Sequence, residues 1–202
     1  MLKKIAQSFS WFFHPLLMPT VGIILLMFTN SYISFIPLQA KKMLIILTSI
    51  GTLILPALMV PLFLLQGKIS NLEMDDRRER VYPLALTAIF YSLTFILFLR
   101  IPVFELVHSF MLGAMLSVIA GFLVSLKWKI STHMIGLGGI ASLVLVLSFK
   151  LDLYLVYPFI GVLIATGLAG SSRLYLGAHT ESQVYTGFAT GFALMMGSLL
   201  LY

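Results

Sequence analysis

Two histidines, several arginines and a few small hydroxyl residues stand in three short polar breaks of an otherwise apolar chain, and together they suit a phosphate group. The first break is Gln66 to Arg80, QGKISNLEMDDRRER, with Arg77, Arg78 and Arg80 at its end. The second runs from Lys127 to His133 and holds Lys129, Ser131 and Thr132, and the third, Ser171 to Ser182, holds Ser172, Arg173 and His179. Guanidinium forks grip phosphate oxygens bidentately and neutralise charge that builds up in the transition state. Two imidazoles supply a nucleophile and a general acid. One attacks phosphorus and the other protonates the departing alkoxide, so this chemistry calls for no metal and no cofactor.

The elements that must position these residues follow from composition. Of 202 residues, 60% are apolar and 10% charged, and the mean hydropathy is +1.05, which no water-facing surface tolerates. A bilayer core of about 30 Å takes roughly 20 apolar residues per helical crossing. The expectation is an all-α integral membrane protein, one transmembrane domain over 1–202, with six or seven transmembrane helices. The apolar runs are continuous rather than alternating, which argues against a β-barrel. Candidate spans are 15–36, 43–65, 81–99, 103–126, 134–149, 153–170 and 183–202. His14, Pro15 and Pro19 interrupt the first run and no small-x-small cleavage site follows, so an uncleaved first helix is expected rather than a signal peptide.

With seven spans, the three breaks are the loops after helices two, four and six, and all three face one side. That side carries nine basic residues against four opposite, or five against four if its four arginines are set aside as anion ligands; the positive-inside rule then assigns no orientation. The net charge of +6 is read as anchoring to anionic headgroups, because no basic stretch is long enough for nucleic acid. Zero cysteines remove disulfides, thiol nucleophiles and thiolate metal sites.

Ser172-Arg173-Leu174-Tyr175-Leu176-Gly177-Ala178-His179 matches the S-R-x5-H core of the type-2 phosphatidic acid phosphatase superfamily, which the chain resembles as a divergent member. Ile130-Ser131-Thr132-His133 is similar to that family's P-S-G-H motif, keeping the serine and histidine. Arg77-Arg78-Glu79-Arg80-Val81-Tyr82-Pro83 echoes its K-x6-R-P motif with the proline displaced. The three resemblances fall in order in the three breaks and cover roughly residues 68 to 191. They imply His179 as the nucleophile that forms a phosphohistidine, His133 as the general acid and Arg173 as a phosphate clamp. Ser131, Ser172, Arg77 and Arg80 are implied as further phosphate ligands. Gln183 occupies the place of the family's aspartate, where its carbonyl can orient the nucleophilic ring without supplying a negative charge.

The resemblance implies a multi-pass membrane enzyme, in the cell or inner membrane if bacterial, acting on a phosphomonoester or diphosphate of a lipid. Its partners would be that lipid and the bilayer, not nucleic acid. Two alternatives stand beside it. Asn71-x3-Asp75-x3-Glu79 has the spacing with which membrane prenyltransferases hold magnesium diphosphate. A non-catalytic lipid-phosphate-binding protein would keep the fold without turnover. Elsewhere, His14 reads as packing or as a neighbour of the site, and Glu105 with His108 reads as structural.

Overall fold

The computed structural model describes residues 2–70 and 77–201, which are helical nearly throughout, with no strand among them. The chain opens with α1 (Leu2–Phe12), a 3-10 turn over Pro15–Leu17 and α2 (Met18–Phe28). The expected span 15–36 is therefore displaced, since the helical rod starts at Leu2 and ends at Phe28. Pro15 and Pro19 each fall in the first turn of their element, where a missing amide costs nothing, so the prolines divide the rod in two instead of preceding it. Beyond Phe28 the backbone of Thr29 is extended, and only a 3-10 turn over Tyr32–Phe35 follows.

The next rod is α3 (Leu38–Ser49), a π-turn over Ile50–Ile54 and α4 (Leu55–Leu65). Pro56, which cannot donate to the preceding turn, lies just past the π-turn. Five single helices complete the bundle: α5 (Arg77–Phe98), α6 (Glu105–Ser125), α7 (Thr132–Lys150), α8 (Val156–Tyr175) and α9 (Glu181–Leu200). Five of the seven rods are long and apolar enough to cross a membrane, namely Leu2–Phe28, Leu38–Leu65, Arg77–Phe98, Glu105–Ser125 and Thr132–Lys150. The other two, α8 and α9, are 20 residues each but less apolar, because glycine, serine and threonine interrupt them.

Two of the polar breaks are shorter than the sequence implies. Arg77 to Arg80 belong to the first turn of α5, and Ser171, Ser172 and Arg173 to the end of α8. A cation in the last turn suits the negative end of the helix dipole. The helix stops at Gly177, whose φ of +65° is the left-handed conformation of a helix C-cap, with Gly177 N–H on the Leu174 carbonyl and Ala178 N–H on that of Arg173.

α7 and α9 pack most closely, because glycines remove side chains where the backbones meet. A Cβ on Gly191 would lie 1.9 Å from the Ile135 carbonyl oxygen, one on Gly187 2.6 Å from that of Ser131, and one on Gly138 2.2 Å from that of Phe188. Around this pair a core of Ile23, Leu26, Phe98, Phe110, Leu143 and Leu199 is fully buried. The outer surface is apolar, with Leu58, Ile89, Leu93 and Ile164 each more than half exposed. Gly191→Ala must push backbone from backbone and should cost about 1–3 kcal/mol. Gly161→Ala on α8, where a Cβ meets nothing within 4 Å, should leave stability unchanged or slightly raised. Thermal unfolding of the two variants in detergent checks the contrast.

Candidate functional site

The ends of the three breaks converge at one end of the bundle. His179 lies in the loop between α8 and α9, two residues past the Gly177 cap, and is 7% exposed. Its Nδ1 is 3.0 Å from Gln183 Oε1 and its Nε2 is 3.3 Å from Arg80 Nη1. A guanidinium only donates and an amide oxygen only accepts. Nδ1 therefore carries the proton, and Nε2 presents its lone pair towards Arg80. The Gln183 carbonyl also accepts the Thr180 amide at 3.2 Å, one half of the capping box that starts α9. One oxygen thus caps a helix and fixes an imidazole.

His179 is held well below the ordinary imidazole value, at about 3, chiefly because burial penalises its charged form and then because Arg80 and Arg173 repel a third positive charge. The Gln183 hydrogen bond opposes this shift, and the charge of Lys129 adds to it. His179 is accordingly neutral at physiological pH.

His133 stands one residue inside α7 and reaches the N-terminal segment. Its Nε2 is 3.1 Å from the carbonyl oxygen of Ser10, to which it must donate. Its ring meets that of His14 edge to face, with centroids 5.7 Å apart. Arg173 Nη1 donates to Ser10 Oγ at 3.4 Å, so a single residue of α1 engages both the second and third breaks. The Ser131 amide donates to the Gln183 carbonyl at 3.3 Å, tying the start of α7 to that of α9.

His14, His133, Arg80 and Arg173 all line one cavity of about 480 Å³. His179 is not among the lining residues, but it contacts one of them, Arg80, and follows another, Ala178, in sequence. Other expected residues are placed differently. Arg77 donates to the Leu126 carbonyl at the end of α6 and fastens α5 there. Ser172 gives its proton to the Leu168 carbonyl at 2.7 Å, so it has none for a phosphate oxygen. Ser131 is fully buried, with a hydroxyl that has no protein partner and does not line the cavity. Asn71 and Asp75 lie outside the described residues; Glu79 accepts from Ser70 Oγ at 3.1 Å, and no cluster of three or more metal-ligating side chains occurs among the described residues. His108 is 2.9 Å from the Phe98 carbonyl near the opposite end of the bundle, in keeping with a structural role.

Sequence reasoning placed no site residue on α1. Lys3, Gln7, Ser10 and His14 all line the cavity, and their spacing of four, three and four residues is one face of a helix. That polar stripe in an apolar segment was the available signal. Comparison with protein-family models, with curated proteins and with solved structures finds no match in any of the three. Fold and site define an all-helical protein with five helices long and apolar enough to cross a membrane, and with a cationic, imidazole-bearing cavity at one end of the bundle.

The unfolded chain takes up a proton on His179 below its ordinary value of 6.5, whereas the folded chain does not until about pH 3. Stability from this group is complete above pH 6.5 and is lost progressively as the pH falls towards 3. Melting temperatures measured from pH 7 to 4 should fall less steeply in His179→Gln than in the parent protein.

Proposed function

We propose that the chain is a multi-pass membrane protein whose seven rods cross the bilayer, and that it hydrolyses a phosphorylated lipid through a phosphohistidine on His179. The observation that carries this is the neutral, buried His179, with its Nδ1–H on Gln183 and its Nε2 lone pair beside Arg80, which lines a cavity together with Arg173 and His133. The apolar exterior supports insertion in the bilayer, and the small-residue contact of α7 with α9 is of the kind that packs helices in lipid.

In this mechanism a lipid phosphate enters between Arg80 and Arg173. Arg80 transfers its hydrogen bond from Nε2 to a phosphate oxygen, which frees the lone pair. Nε2 bonds to phosphorus, the P–O bond to the lipid breaks, and His133, which takes up a second proton and becomes an imidazolium when the phosphate dianion is bound, gives one ring proton to the departing oxygen. Water then attacks phosphorus and yields a proton to His133, the P–N bond breaks, and inorganic phosphate leaves His179 as it began. Both arginines face the charge that develops on the equatorial oxygens. Since Ser10 holds the Nε2 proton of His133, delivery from that nitrogen requires the junction of α1 with the following turn to shift. Gln183 keeps the ring oriented but leaves the positive charge of the phosphohistidine without a counter-charge.

Purified protein assayed for phosphate release from a panel of lipid phosphates should show turnover that persists in a metal chelator. His179→Ala should lower it by about a thousandfold or more. Turnover unaffected by that substitution would sink the mechanism. Gln183→Asp supplies the missing charge and should raise kcat on the order of tenfold, or about 1.4 kcal/mol, with little change in KM.

A further inference from the structure

We infer that the cavity takes one hydrocarbon chain of the ligand into the middle of the helix bundle, so that the substrate is a single-chain lipid phosphate rather than a two-chain one. The inference relies on the phosphatase reading for the headgroup alone.

The cavity changes character with depth. Lys3, Arg80 and Arg173 line its polar end, while Ala114, Val118 and Ile140 line the interior. On α5 the lining extends from Arg80 to Tyr91, 11 residues or about 16 Å at ~1.5 Å per residue. On α6 it runs the same distance, from Gly121 to Phe110. That depth is roughly half of a ~30 Å apolar bilayer core. A headgroup site alone has no use for it, and an apolar void of this length is what an alkyl or isoprenoid tail fills.

The walls and floor limit what fits. Residues of α2, α4, α5, α6, α7 and α9 line the interior, so a chain inside lies against six helices. Gly121, Gly136 and Gly139 are part of the lining, and a Cβ on Gly136 would lie 2.7 Å from the Met18 side chain, so the wall there is closely packed. Tyr91, Phe110 and Met195 close the far end and are 5%, 1% and 3% exposed. The Phe110 ring occupies the space a Cβ on Gly22 would need, 2.1 Å away, so the floor is fixed by close packing against α2. A volume of about 480 Å³ is that of a small-molecule pocket. A second acyl chain attached to the same headgroup would have to leave between helices.

The test uses n-alkylphosphonates of stepwise chain length, which carry the headgroup chemistry but are not hydrolysed, together with a two-chain phosphonate analogue. Binding is measured by displacement of one labelled member in detergent. Affinity should rise with chain length to a limit and then level or fall, and the two-chain analogue should bind about tenfold or more weakly than the best single-chain one. Ala114→Phe and Ser117→Leu, which fill the interior from α6, should each move the limit to shorter chains; two positions guard against one variant failing to fold. Equal binding of the two-chain analogue, or a limit unmoved in both folded variants, would overturn the inference. Phosphate release without chain selectivity defeats this inference and leaves the phosphatase reading standing. A chain-length limit without phosphate release does the reverse.

Discussion

The contact on which the site depends is the meeting of two backbones. Gly187 and Gly191 bring α9 against the Ser131 and Ile135 carbonyls of α7, and Gly138 returns the contact against Phe188. In lipid there is no hydrophobic drive to bring helices together, so close van der Waals approach of this kind does the work. Its consequence at the polar end is the hydrogen bond from the Ser131 amide to the Gln183 carbonyl, which fixes the start of one helix on the other. His133 and His179 belong to different breaks, and this pairing is what brings them into one region. The neighbouring Gly136 of α7 does the same for the N-terminal segment, since a Cβ there would lie 2.7 Å from the Met18 side chain.

Electrostatics at that end hold a buried imidazole in its neutral form. Arg80, Arg173 and Lys129 gather round an imidazole that stays neutral because of them and because of burial. A phosphate dianion entering there would be stabilised by the cations and would in turn favour a protonated or phosphorylated ring. Ligand affinity and fold stability are then linked, since anything that binds only the assembled cation cluster also stabilises it. Gln183 fits the same logic, giving direction to the ring while adding no charge to the group.

Much of the organisation was legible in the sequence. The apolar runs located each rod to within a few residues from α3 onward, and the S-R-x5-H spacing marked the end of α8, where Arg173 lines the cavity, and the loop after it, which carries His179. What misled was the assumption that polar residues lie in loops. Arg77, Arg80, Ser172 and Arg173 continue helices, because a helix end tolerates or favours such residues and stops only where Gly177 can take a left-handed conformation. Ser172 lost its expected role to a carbonyl one turn back, a contact invisible without the helix. His14 and its prolines read as interruptions of a span, whereas they are the hinge between a helix that lines the cavity and one that joins the core. The departure of Gln183 from the family's aspartate was visible, yet its second task as a cap was not weighed, although Thr180-Glu181-Ser182-Gln183 spells it.

The hydrogen bonds of Ser10 to His133 and Arg173 join residues 123 and 163 positions apart. Closing such long loops comes late, because their entropy is repaid only when the distant partner is already in place. Helix α1 therefore makes these two contacts only once α7 and α8 are in place. α1 is then the keystone of this end of the bundle, joining the start of α7 to the end of α8 through the single residue Ser10.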